Sequence, residues 1–170
     1  MGIPMGLQYS ITAIGTLVIQ TAVNGFGSLT VAGVTAAQRI NSFISCPVES
    51  IGATMAPYSG QNMGAGKLDR VARGLRDASI LGFAVSAVLF VIVLMTGKQL
   101  SLIFLDTADD RVIAYSYQFL VTTAAGYFLL TLVNAVRFTI QGMGFSVFAI
   151  TSGVLEMIAR TLAGLVLVPL

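Results

Sequence analysis

Apolar residues run along this chain in blocks too long for strands and too continuous for the one-sided helices of a water-soluble surface. Five such blocks predict membrane-crossing helices over about residues 3–24, 29–57, 78–96, 112–136 and 145–168. Roughly 20 residues, rising about 1.5 Å each, are enough to cross the hydrocarbon core. None of the blocks shows the alternating rhythm of a membrane β-barrel strand. The predicted fold is all-α: a polytopic transmembrane helix bundle of about five spans, forming one transmembrane domain over residues 1–170.

The polar residues inside the blocks are arranged rather than scattered. In the first span Gln8, Thr12, Thr16 and Gln20 recur every fourth residue and make a stripe that drifts slowly around the helix. Such a stripe either glues helices together by hydrogen bonds or walls a water-filled path. In the second span Gln38, Asn41, Ser42, Ser45, Glu49 and Gly52 share one sector at 100° per residue. Arg39 and Glu49 are charged, at a cost of roughly 2.5–3.5 kcal/mol each at mid-membrane, so they need partners or a wet cavity. Glu49 is read either as a transport residue or as half of an ion pair with another helix. Pro47 cannot donate to the Phe43 carbonyl, which predicts a kink there. The third span is polar only at Ser79 and Ser86 and is expected to be the most lipid-exposed. The fourth carries Tyr115 and Tyr117 near its start, as in an interfacial aromatic belt, with Thr122, Thr123 and Asn134 deeper. In the fifth, Glu156 and Arg160 stand four apart with Ser152 on the same face. They form a self-neutralising pair or a proton- or cation-linked switch.

The segments between spans set the orientation. Tyr58–Asp77 holds four of the nine basic residues, Lys67, Arg70, Arg73 and Arg76, and three closely spaced glycines, Gly60, Gly64 and Gly66. It reads as a short loop leading into a basic helical turn. Its Gly60–Lys67 stretch misses the phosphate-loop spacing by one residue, and Leu68 stands where a hydroxyl is required. Asn24–Ser28 reads as a tight turn, and Gly97–Arg111 as a solvated acidic loop with Ser101–Phe104 as an interfacial turn. Its Asp106, Asp109 and Asp110 lack calcium-loop spacing. Arg137–Gly144 reads as a loop with Arg137 snorkelling to the headgroups. Lys67, Arg70, Arg73, Arg76 and Arg137 on one side outnumber Lys98 and Arg111 on the other, so loop 58–77 and the N-terminus are placed in the cytoplasm.

Composition narrows the function classes. The chain is 56% hydrophobic and 9% charged, with a mean hydropathy of +0.90. A soluble domain carries about 25% charged residues, so there is too little polar surface here to cover one. The net charge of +2 is a topology signal and not a nucleic-acid footprint. One cysteine, Cys46, and no histidine exclude an internal disulfide, a nitrogen- or sulfur-ligand metal site and histidine-assisted nucleophilic catalysis. No enzyme activity and no cofactor are expected. The N-terminus lacks a basic stretch ahead of its apolar run, so no cleavable signal peptide is read. The abrupt start and end inside apolar spans suggest a piece of a longer protein.

Four stretches, GIPMGLQ, AAQRI, GQNMGAGKLDRVARGLR and NAVRFTIQGMGFS, followed by a helix with Glu156 and Arg160, resemble in order the multidrug and toxic compound extrusion (MATE) transporters. The resemblance covers essentially the whole chain and implies the first five helices of the C-terminal lobe. Such proteins have about twelve helices in two lobes, an internal-repeat layout. It implies a secondary antiporter of the plasma membrane that exports small amphipathic or cationic compounds in exchange for H+ or Na+. Substrate would bind between this lobe and an N-terminal lobe that the sequence does not contain. One branch of the family places a cation-binding carboxylate on this lobe's first helix, where Thr12 stands here, and a second acid on the fourth helix, where none stands. Another branch keeps its key acid in the N-terminal lobe. Gln8, Thr12, Gln38, Asn41 and Asn134 are then the cavity-lining candidates, with Glu49, Glu156 and Arg160 the candidate charged groups of an ion pathway. A related lipid-linked oligosaccharide flippase is the nearest alternative, disfavoured because only Arg39 and Arg160 lie deep. A non-transporting membrane assembly subunit is the other.

Overall fold

The computed structural model describes residues 6, 10, 13–14, 16–17, 20–21, 23–25, 27–104, 109–145, 148, 151–158 and 162. Three long helices dominate: α1 (Ser28–Gly64), α2 (Leu68–Phe104) and α3 (Asp110–Gly142). Residues 151–158 are helical as well, and among the described residues there is no strand. The protein is an all-α membrane bundle. Helices α2 and α3 are long and apolar enough to cross a bilayer. Helix α1 is as long as α2, at 37 residues, but the polar groups of its middle lower its hydropathy.

All three helices outrun the membrane. At about 1.5 Å per residue, 33 to 37 residues give roughly 50–55 Å, against a hydrocarbon core of about 30 Å. This length corrects the loop assignments. Most of Tyr58–Asp77 is helix: α1 continues to Gly64, and α2 begins at Leu68. Only Ala65, Gly66 and Lys67 separate them. The break is a Schellman stop. The Lys67 N–H donates to the Asn62 carbonyl at 2.8 Å and the Gly66 N–H to the Met63 carbonyl at 3.0 Å. Gly66 takes the left-handed φ of 69° that this motif needs. Glycine density therefore marked the stop about six residues early, because Gly60 and Gly64 are tolerated inside α1. The stretch from Gly97 to Phe104 is likewise helix, and Arg137–Gly142 is the last turn and a half of α3. Asp109 is the N-cap of α3, its side chain accepting from the Arg111 N–H at 2.9 Å, with Asp110 in the first turn. Two of the loop's aspartates thus serve a helix start. Asp106 lies outside the described residues.

The three helices run up, down and up. Tyr58 of α1 packs on Gly74 of α2; Thr131 of α3 meets Gly82 and Ser86 of α2, and Tyr117 meets Gly97. Helix α3 therefore returns parallel to α1, from Gly33 beside Val112 to Gly60 beside Gly142. Ala37, Ile40 and Val48 of α1, Val93 of α2, and Leu120, Ala124 and Tyr127 of α3 form the core. Small residues let α1 and α3 come close: a Cβ on Gly52 would stand 2.8 Å from the Asn134 Cβ. Buried hydroxyls pair across helices, Ser86 with Thr131 at 3.0 Å and Ser101 with Ser116 at 2.8 Å. This satisfies groups that lipid would leave bare.

Candidate functional site

Two faces of α1 divide its polar residues. One face packs on α3. Asn41 accepts a 2.6 Å hydrogen bond from the Tyr127 hydroxyl, Ser45 is buried, and Gly52 abuts Asn134. Gln38, at the rim, donates to the Gln20 side chain at 3.5 Å, a contact between α1 and the segment before it. The other face is open. It presents Arg39, Ser42, Phe43, Cys46, Pro47, Glu49, Ser50, Ala53, Thr54 and Pro57. Between residues 30 and 57 the only large apolar side chain on it is Phe43. Ser45 bridges the faces, its hydroxyl donating to the Glu49 carboxylate at 2.9 Å. Helix α1 runs through Pro47 and Pro57 without interruption.

The single sector read from helical spacing is thus a boundary. Asn41, Ser45 and Gly52 fall on the packed side, and Ser42 and Glu49 on the open side. Helix α2 differs sharply. Beyond its basic first turns it exposes Ile80, Leu81, Phe83, Val88, Val91, Ile92, Leu94 and Met95, the surface that lipid tails solvate. The third span, expected from the sequence to be the most lipid-exposed, carries this face.

A second polar group lies where α3 meets residues 151–158. Asn134 is buried and accepts from an Arg137 Nη2 at 2.8 Å. The Arg137 Nη1 stands 3.5 Å from a Glu156 carboxylate oxygen, and the guanidinium lies over the Phe138 ring, 5.3 Å from its centre. This corrects the reading of Arg137 as a snorkelling headgroup anchor: it turns into the bundle, because Glu156 and Asn134 offer acceptors within reach. A cavity of about 320 Å³ adjoins it, lined by Leu132, Val136, Ile140, Phe148 and Ser152. Another of about 270 Å³ lies beside Asn134 and Glu156.

Of the residues singled out from sequence, the structure brings Gln38 and Asn41 into α1's helix contacts, puts Glu49 on the open face, and joins Asn134 with Glu156 through Arg137. Gln8, Thr12 and Arg160 lie outside the described residues. Tyr127 escaped the sequence reading. A buried tyrosine hydroxyl demands a partner, so its place in an apolar run was a usable signal. Among the described residues no three His, Cys, Asp or Glu side chains gather. The open face of α1 offers hydroxyls, one carboxylate and one guanidinium, a surface suited to ion and polar-group passage.

The MatE family model matches residues 4–167. A probable multidrug resistance protein of Bacillus subtilis (strain 168), YpnP, is 31% identical over 120 residues, which is 71% of this chain and 26% of that protein. Another from the same organism, YoeA, is 22% identical over 144 residues, 85% of this chain and 31% of that protein. The chain thus spans between a quarter and a third of the curated relatives it matches. No solved structure matches it.

Proposed function

Because the chain belongs to the MatE family, we propose that it is part of the C-terminal lobe of a multi-pass plasma-membrane antiporter. This antiporter exports small amphipathic or cationic compounds against an inward flow of H+ or Na+. The observation that carries the reading is the open face of α1. Arg39 and Glu49 stand exposed there among small and hydroxylated residues, while α2 turns large aliphatic side chains outward. A charge facing lipid is expensive, roughly 2.5–3.5 kcal/mol at mid-membrane. A face with two charges and almost no large apolar residue is built for water, and a second lobe across that water completes a cavity. The two relatives, both probable multidrug resistance proteins, support drug efflux as the activity.

In this reading Glu49 takes the coupling cation, steadied by the Ser45 hydroxyl, and Gln38 and Ser42 line the path beside it. Asn41 holds α1 to Tyr127 and fixes the wall's position. Binding of a proton or sodium ion removes the Glu49 charge, which lowers the cost of closing the cavity around it. The Arg137–Glu156 pair, joined to Asn134, holds α3 against residues 151–158.

The test is efflux of a cationic fluorescent dye from cells that make this chain joined to the N-terminal lobe of one of the two relatives. The expected result is efflux from the joined protein, an at least roughly tenfold slower rate in Glu49→Gln, as for loss of about 1.4 kcal/mol at the rate-limiting barrier, and none from this chain alone. Efflux by the chain alone, or full efflux by Glu49→Gln, contradicts the proposal.

A further inference from the structure

We infer that the start of α2, with the turn before it, is a binding site for an anionic phospholipid, its phosphodiester held by Arg70 and Arg73. Two surface clefts meet at these arginines. One, of about 400 Å³, is lined by Gly66, Lys67, Leu68, Asp69, Arg70 and Arg73. The other, of about 300 Å³, is lined by Tyr58, Arg70, Arg73 and Asp77. The cleft floor is fixed: the Tyr58 hydroxyl donates to the Arg70 carbonyl at 3.1 Å, and its ring packs against Gly74. Lys67, Arg70, Arg73 and Arg76 stand within ten residues. Among the described residues none of them is within ion-pair distance of a carboxylate. Their charge is left for a partner from outside.

The same helix says which partner. Arg70, Arg73, Leu81, Val88, Val91 and Met95 lie on one side of α2 at 100° per residue, and all are exposed. Arg73 to Leu81 is about 12 Å along the axis, the step from headgroup to upper acyl chain. A molecule with a phosphate above and hydrocarbon below matches that face along its length, whereas a free anion uses only the upper part. Asp77 in the second cleft is a hydrogen-bond acceptor, which suits the hydroxyls of a glycerol headgroup and repels a second phosphate. The inference needs membrane insertion alone and does not depend on the transport reading.

Native mass spectrometry of the detergent-solubilised chain, titrated with phosphatidylglycerol or phosphatidylcholine, tests it. Wild type is expected to retain one phosphatidylglycerol about tenfold more tightly than phosphatidylcholine. The pair Arg70→Gln and Arg73→Gln is expected to narrow that preference to within about twofold, because the two cations that attract the anionic headgroup are gone. Arg111→Gln, at the far end of the bundle, keeps it. A second measurement needs no variant: arginine modification by phenylglyoxal, read by peptide mass, in vesicles of either lipid. Arg70 and Arg73 should react about fivefold more slowly in phosphatidylglycerol, and Arg111 with less than about twofold change. A preference that survives the double substitution, one that Arg111→Gln erases equally, equal modification rates in both lipids, or displacement of the lipid by inorganic phosphate would each overturn it.

Discussion

Tyr127 shows how a single side chain sets the packing of a helix in lipid. Its ring fills the core beside Ala37, Val48 and Ala124, and its hydroxyl satisfies Asn41 across the α1–α3 contact. Tyr127→Phe keeps the ring and removes the bond. The expected destabilisation is about 0.6 kcal/mol and at most about 1.7, the range for hydrogen bonds between membrane helices, measured by unfolding in mixed micelles. No change on substitution would mean that the bond does not hold the contact. The sequence reading found Asn41 because an amide in an apolar block stands out. It missed Tyr127 because an aromatic residue in such a block looks like ordinary core. Arg137 is hard to place from sequence for a related reason. Its position near a helix end suggested a headgroup anchor, whereas its acceptors, Asn134 and Glu156, are three and nineteen residues away, and only the fold brings the second within reach.

Helices, not loops, carry this chain through and beyond the bilayer. Hydropathy marked where α2 and α3 cross, since the cost of polar groups in hydrocarbon is a local property. The helix ends were less legible, because a helix continues into water wherever its backbone bonds and side chains allow. Thus Leu68–Asp77, polar enough to be taken partly for loop, is the start of α2, and the real stop is the three-residue turn at Gly66. The closeness of α1 and α3 gives a prediction at this scale. A Cβ on Gly142 would collide with the Ala56 carbonyl and the Ser59 hydroxyl. A backbone atom cannot yield without moving α1. Gly142→Ala is therefore expected to cost about 1–3 kcal/mol, as overpacking does. Gly126, with nothing within 4 Å of its would-be Cβ, is expected to gain up to about 1 kcal/mol as alanine from helix propensity. Thermal unfolding of both in detergent checks this. Equal shifts would mean that the α1–α3 contact is looser than its geometry.

At the scale of the molecule, the outward faces of α1 and α2 are of two kinds. Helix α2 is aliphatic outward, and α1 is small, hydroxylated and charged outward. Membrane class and family resemblance were both readable from residues alone, the first from composition and the second from four motifs in order. Which polar residues of α1 face a neighbour and which face open space was not readable. One helical sector contains both kinds, and the packing of α3 draws the line between Ser45 and Glu49. The central claim is that the open face of α1 borders water. Cys46, the sole cysteine, lies on that face and is exposed. A thiol reacts through its thiolate, which forms in water and not in lipid. The measurement is labelling with a water-soluble maleimide of the membrane-inserted chain joined to a cysteine-free N-terminal lobe of one of the two relatives, the lobe that completes the cavity. The control carries Val88→Cys with Cys46→Ser, which moves the thiol to the aliphatic face of α2. Rapid labelling of Cys46 with an inert control is the predicted result. An inert Cys46 beside a reactive control would place lipid against α1 and contradict the account.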